Sequence, residues 1–508
     1  MADRPPASVG SGRATALGLN DALRLEPADI LIRTAFADEL DAQRALTDAM
    51  SLVDLAHTIM LIECGVVPAT EGARLLDALT SLQAGPEDFV VDPAVGDLYT
   101  NRERWLLERE SAARWLGAGR ARREATTTAY HLVIRRRALE LAAALGRAGT
   151  ALIDRAEVER DTLMPDYTYL QVAQPTTFGH YLLGFVGPIV RDLERIEALF
   201  VRIDHSPAGI GSGNGSLIAQ DREGLARLLG FDGIVAHGRD AVWQADLSIE
   251  AMGVVVAATL TLDRLAEDLL VFATEAFGFV QLSEALSRGS RVLPQKRNPF
   301  ALSHIRAVAN RMIGMQAGVA AAARMPTGQP DTRAAATAEV PAALAAATGA
   351  ADLAAAVVAS MHIDALRCRA ALDESAAAAT DVASILVRDH GIDFGTAHAI
   401  AARLVSDLRA DGRPLADATA RDIDAAAAAL GARVDLSPAS ISDALDPRRA
   451  VAGRVGPGGA APGAMDAMIA GTRAALDQAD AWVARTLVRI VDAERALAER
   501  AASIAESA

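Results

Sequence analysis

Residues 335–360 read AATAEVPAALAAATGAADLAAAVVAS, and this stretch decides the fold class. Alanine has the best intrinsic helix propensity and almost no side-chain entropy to lose. The run therefore predicts one long helix over about 335–360. The rest of the chain agrees with it. Hydrophobic residues make up 51% of the 508, yet aromatics only 4%. Sheets draw on β-branched and aromatic residues, so an all-β fold is nearly excluded and an all-α fold is expected. The length exceeds one ordinary core and predicts several packing units.

Moving outward, apolar spacing predicts helices over about 302–323, 243–275, 177–203 and 122–164. Pro165 ends the last of these, and Thr176 or Thr177 caps the helix after Pro175. From Asp29 to about Leu82 the spacing is helical again, with Leu52, Leu55, Ile59 and Leu61 separated by Asp54 and Glu63, and Gly65 closing one helix. Residues 1–20 are expected to be disordered. The final third reads as shorter helices, a Gly456-Pro457-Gly458-Gly459 loop and a terminal helix to about Glu506. One chain can hardly cover the apolar faces of so many long helices, so a multi-chain bundle is expected.

The formal net charge is −15, which disfavours a general nucleic-acid binder. It leaves room for an anionic substrate in a local arginine-lined pocket. Cys64 and Cys368 cannot build a disulfide framework or a cysteine-rich zinc site. No signal-like N-terminus and no uninterrupted apolar stretch of transmembrane length stand out. A cytoplasmic protein without a cofactor, a bound metal or a membrane partner is expected. The glycine-rich run from His205 to Gly215 resembles a phosphate cradle only superficially, since it lacks the Gly-Lys-Ser/Thr ending and a preceding strand.

Three segments are too specific for bundle filler: Gly119-Arg120-Ala121-Arg122-Arg123-Glu124, Met164 to His180, and Gly289 to Pro299. Each has a bland reading, as a solvated helix start, a capped helix junction and a basic surface loop. Together they supply what one reaction needs. Eliminating an amine from a succinyl group removes a carbon-bound proton beside a carboxylate, and charge moves onto that carboxylate. Catalysis then needs a base at the carbon, with cations and amide donors at the carboxylate. Ser290 can be the base if nearby dipoles and Lys296 lower its pKa. Lys296, Asn298, Thr168 and Arg122 can bind carboxylate oxygens.

The third segment resembles the Gly-Ser-Ser-x-Met-Pro-x-Lys-x-Asn-Pro signature of the aspartase/fumarase superfamily, matching at Gly289, Ser290, Pro294, Lys296, Asn298 and Pro299. The other two resemble stretches of argininosuccinate lyase, as do Asp263 to Leu270, Phe277-Gly278-Phe279, Thr380-Asp381 and Leu445-Asp446-Pro447-Arg448. The resemblance implies three domains, read here as an N-terminal helical domain over 1–118, a central long-helix bundle over 119–372 carrying the signature loop, and a C-terminal helical domain with its terminal helix over 373–508; it also implies a tetramer with one shared central bundle and active sites assembled from three subunits. It implies Ser290 and Thr168 as catalytic, with Tyr169, in the family histidine's place, either acting with them or only filling volume beside Thr168. Arg122, Lys296 and Asn298 are expected to bind the substrate carboxylates, and the departing residues Arg123, Arg291 and Gln329 are expected to complete the substrate-binding set.

The departures bear on the substrate. Tyr169 and Tyr99 stand where the family carries histidine, and Ala121, Arg123 and Arg291 replace family Ser, Asn and Ser. Residues 326–333, around Gln329, lack the family's Tyr-Asn-x-Asp-x-Gln-Glu-Asp stretch, which contacts the guanidino group. The added arginines suit a more anionic substrate, as in ethylenediamine-disuccinate lyase, which also resembles argininosuccinate lyase. The reading is a carbon–nitrogen lyase acting on an N-substituted aspartate other than argininosuccinate. Argininosuccinate lyase itself, and a noncatalytic or chemically diverged relative, are the alternatives.

Overall fold

The computed structural model describes residues 26–324, 334–434 and 436–507. Gln329 and the segment 1–20 lie outside the described residues. The chain is helical throughout, with four two-stranded ladders among the described residues. The N-terminal core is built on α1 (Thr47–Glu63), α2 (Ala69–Gln83) and α3 (Leu98–Leu107).

The central bundle consists of five long helices. α4 (Arg122–Val158) is followed by a hairpin of β1 (Leu163–Thr168) and β2 (Gln171–Thr177), then α5 (Phe178–Leu183) and α6 (Val186–Ile203). α7 (Asp246–Phe272), α8 (Phe300–Ala322) and the alanine-rich α9 (Ala334–Ser360) complete it. Cross-helix contacts fix the directions. His131 on α4 reaches the carbonyl of Ile203, and Tyr130 reaches Ser248, so the start of α4 meets the end of α6 and the start of α7. Arg306 on α8 pairs with Asp263 and Glu267 of α7, and Arg147 pairs with Asp352 of α9. Helices α4, α7 and α9 thus run one way, and α6 and α8 the other.

Two helix ends differ from the sequence expectation. α4 stops at Val158, not Met164, because the returning chain takes over its last carbonyls. The N–H of Gly179 donates to the carbonyl of Glu159 and that of Phe178 to Thr162. Only glycine fits there, since a Cβ on residue 179 would lie 2.4 Å from the Ala156 carbonyl oxygen. Met164 to Thr177 is therefore a β-hairpin and not a helix junction. The helix expected over 177–203 is broken at Gly184-Phe185, and Thr177 is the residue that caps its start.

The third core lies within residues 376–445, in helices such as Ala379–His390, Phe394–Ala410 and Ala420–Ala428. The terminal helix α10 (Pro462–Glu506) leaves that core. Met465, Leu476 and Ile490 join the central cluster, whereas Leu497 and Ala501 join the N-terminal one. Sequence grouped this helix with 373–508; its apolar side packs on the other two cores. Asp29–Glu63 and Ala336–Ser360 are also long and apolar enough, by length and composition, to cross a membrane; the sequence reading took the second as a packed helix and did not single out the first. The first lies mostly inside the N-terminal core, and the second packs along α4.

Candidate active site

The residues singled out from sequence sit at opposite ends of the bundle. Arg122 and Arg123 open α4, and the hairpin follows its far end. At about 1.5 Å per residue, the 37 residues of α4 separate the two by about 55 Å. A single chain does not bring the whole set together.

At the near end, α4 begins without a side-chain cap and is held by its charged residues instead. Arg120 is fully buried and places Nη1 2.9 Å from Oδ1 of Asp54, whose Oδ2 accepts from Arg102 at 2.8 and 3.1 Å. Arg122 is half-buried, and its Nη1 donates to Oδ2 of Asp97 at 3.0 Å. The other oxygen of Asp97 caps α3 by accepting from Thr100. Arg123 lies 3.6 Å from Glu39 and lines a small mixed cavity of about 40 Å³ with Leu46, Thr127, Tyr130, His131, Gln244 and Leu247. His131 faces the Ile203 carbonyl through Nδ1, so Nδ1 carries the proton and Nε2 accepts from the Gln244 amide.

Glu124 is buried beside them, and Oε1 accepts from the N–H of Gly209 at 2.8 Å. Burial pushes its pKa up to about 7, against the pull of the Gly209 and Gly211 amides, Arg120 and Arg222. His57, near Arg120, is held well below its usual value by burial first and then by that cation. Tyr99, in the position where a family histidine was expected, is raised by its burial, and the Arg120 guanidinium lies over its ring.

At the far end, an aromatic cluster anchors the hairpin. Tyr167 packs on Phe277 at 5.4 Å and on Phe272 and Phe279 at 6.2 and 6.3 Å. The two-residue tip is Tyr169-Leu170, with φ of 54° and 57°. Both lie in the left-handed region that a primed hairpin turn demands and that Asn-Gly normally fills. Each non-glycine residue there costs about 1–2 kcal/mol. Thr168 is exposed, and Tyr169 is 99% exposed in the single chain.

The signature loop is at this same end, between α7 and α8. Strand β3 (Arg288–Gly289) pairs with β4 (Arg297–Asn298) to close it. Oγ of Ser290 accepts from the N–H groups of Val292 and Leu293, at 3.2 and 3.0 Å. Two amide donors at one hydroxyl oxygen favour its deprotonated form. Arg291 and Lys296 are exposed on the loop. The Asn298 amide donates to the Arg288 carbonyl at 2.9 Å, so it pins the stem as well as facing the loop. Sequence reasoning missed the roles of Asp97 and Glu124, which hold the start of α4. Glu124 stood in a quoted stretch and Asp97 two residues from Tyr99, but their partners, Gly209 and Arg122, are far from them in sequence.

Comparison with known proteins agrees with this architecture. A family model described as "Lyase" matches residues 27–314, and one described as "Argininosuccinate lyase C-terminal" matches residues 376–452. The chain is 30% identical to an argininosuccinate lyase of Methanothrix thermoacetophila over 470 residues, covering 91% of this chain and 95% of the relative. It is 34% identical to that of Frankia casuarinae over 460 residues, covering 90% and 97%. Among solved structures, EDDS lyase, as a variant with bound fumarate and in complex with formate, superposes with a TM-score of 0.85 at 27% identity, covering 93% of this chain and 96% of that one.

Proposed function

This chain belongs to the argininosuccinate lyase-like branch of the aspartase/fumarase superfamily, a group of carbon–nitrogen lyases, and from that premise we propose that it eliminates an amine from an N-substituted aspartate to give fumarate or a close analogue. The observation that carries the reading is the Ser290 turn, with Oγ seated on two backbone amides in the loop that also carries Lys296. In this mechanism Ser290 takes the proton from the carbon next to a carboxylate. The electron pair moves into that carboxylate as an aci-form, whose charge Lys296 and Arg122 offset while Asn298 and Thr168 donate hydrogen bonds to it. Collapse of the aci-form makes the double bond of fumarate and breaks the carbon–nitrogen bond, and the departing amine takes up a proton from solvent. Arg123 and Arg291 favour a substrate with further negative charge, and Tyr169 offers a hydroxyl where the family histidine would act. Ultraviolet absorbance of fumarate formed from a panel of N-substituted aspartates tests this. No fumarate from any member overturns it.

We further propose a homotetramer whose sites combine segments of different subunits. The 55 Å offset between the two halves of the residue set supports this, because antiparallel copies bring opposite ends together. Ile249, Leu260 and Ile313 on α7 and α8 are each more than a third exposed in one chain and offer apolar surface for neighbours. A stable, active monomer in light scattering overturns it. The second reading, argininosuccinate lyase itself, is favoured by the 30–34% identity to such enzymes over nine-tenths of the chain. Efficient cleavage of argininosuccinate by the purified protein promotes it over the first.

A further inference from the structure

The first turn of α4 is gripped from three sides. Arg120 holds Asp54 on α1, Arg122 holds Asp97 at the start of α3, and Glu124 reaches the glycine-rich run that follows α6. That run is shaped to meet it. Gly209 and Gly211 have φ of 78° and 61°, which turns their N–H groups inward. Arg222 holds the run from behind, donating to the carbonyls of Ala208 and Val235 at 3.0 and 2.8 Å. Ser216 and Gln220, further along, press against Gly119, just ahead of the helix. A buried carboxylate is an expensive way to hold two amides, and this one lies two residues from Arg122.

We propose that Glu124 is a positioning residue, clamping the segment 207–216 onto the first turn of α4 so that Arg122 and this glycine-rich wall present one fixed face to the substrate carboxylate. The role rests on the lyase reading above, since it gives Arg122 a carboxylate to bind. The clamp is a matter of two amides and one carboxyl, and stands independently of the reaction. Because Glu124 titrates near pH 7, the wall also feels pH. The groups facing it are Arg120, just ahead of the helix, and Arg222 behind the loop, with Glu223 beside Arg222. Beyond Arg120 lie Asp54, also held by Arg102, and His57. Protonating Glu124 removes a negative charge close to Arg122, so an anion binds more tightly as pH falls through about 7.

The test uses the full chain and two variants, Glu124→Ala and Glu124→Gln, with fumarate as the probe. Amide hydrogen exchange without ligand should rise at least about tenfold over 207–216 in Glu124→Ala and stay near wild type in Glu124→Gln, which keeps the acceptor. Fumarate affinity by calorimetry should fall about tenfold in Glu124→Ala. Its change between pH 6 and 8, present in the wild type, should vanish in Glu124→Gln. Unchanged exchange in Glu124→Ala overturns the clamp. A loosened loop with unchanged fumarate affinity overturns the positioning role and leaves the lyase reading intact. If the wild type binds no fumarate while the loop still loosens, the lyase reading and the positioning role fall together, and the clamp stands.

Discussion

The two ends of the bundle handle charge in opposite ways. At the near end Arg102, Asp54 and Arg120 are nearly solvent-free and locked to one another, and Arg122 is tied to a carboxylate that is itself a helix cap. At the far end Arg291 and Lys296 stand exposed on a closed loop, and the hairpin tip carries a tyrosine and a leucine in a turn that favours neither. One end is finished within a single chain. The other holds its backbone rigidly and presents its side chains outward, as a surface made to complete something else does. The two ends should therefore differ in what a mutation breaks: stability in the Arg102–Asp54–Arg120 network of the near end, and chemistry alone on the exposed loop and tip of the far end.

The largest expected effect falls on the far end. Ser290→Ala should lower turnover by about 10²–10⁴ with the melting temperature unchanged, since Oγ is half-buried and makes only turn contacts. Steady-state rates with thermal melts check both halves of that statement. The comparison sharpens further if Ser290→Ala is mixed with Arg122→Ala under conditions that let subunits exchange. Two inactive proteins should then regain activity, because a shared site can draw an intact serine and an intact arginine from different chains. Persistent inactivity after proven exchange would put both residues in one chain's site and break the two-end picture.

Next comes the near end. Asp54→Ala leaves Arg102 and Arg120 buried without their common partner, which costs about 3–5 kcal/mol. Denaturant unfolding should register the loss as a drop in midpoint. A surface control, Asp352→Ala facing Arg147, should change it by less than about 1 kcal/mol.

A smaller effect is expected from pH. The pKa of Glu124 rises from 4.5 in the unfolded chain to about 7 in the fold. The folded state binds this proton more tightly, so its contribution to stability is fully present below about pH 4.5. It is lost as pH rises through about 7, a change on the order of 3 kcal/mol. In Glu124→Gln the corresponding slope in unfolding free energy between pH 5 and 7 should flatten. An identical slope in both proteins assigns it to other groups.

Much of this was legible in the sequence, and for physical reasons. Alanine-rich runs have one good conformation, so the long helices and the crowding of their faces followed from composition. The Gly289 to Pro299 loop was legible because glycine, two prolines and fixed polar residues have no helical period. The Met164 to His180 hairpin was not, because its turn is Tyr169-Leu170, with no Asn-Gly signal. Two prolines also sit opposite each other in its ladder, Pro165 against Pro175. Nor was the end of α4, where Glu159-Arg160-Asp161 has ordinary helix propensity and only the returning Gly179 stops the helix. The partners of Arg122 and Glu124 depend on tertiary approach, which no local pattern encodes.

The smallest effect is the most discriminating, and it concerns the tip itself. Tyr169 pays for its left-handed backbone with about 1–2 kcal/mol and buries nothing within its own chain. Such strain persists where the side chain is needed elsewhere. Tyr169→Phe keeps ring and backbone and removes only the hydroxyl. If that hydroxyl meets the substrate in the transition state, turnover should fall at least about tenfold, corresponding to about 1.4 kcal/mol. An unchanged rate on the true substrate leaves Tyr169 as packing beside Thr168, with no part in the chemistry. A second change separates strain from function: Tyr169→Asn with Leu170→Gly installs the dipeptide that this turn prefers. It should raise the melting temperature of the isolated fold while lowering turnover. If it raises both, the tyrosine has no catalytic part, and the far end is defined by the Ser290 loop alone. Tyr169→His is expected not to create argininosuccinate cleavage, because Ala121, Arg123 and Arg291 would still differ from that family's residues.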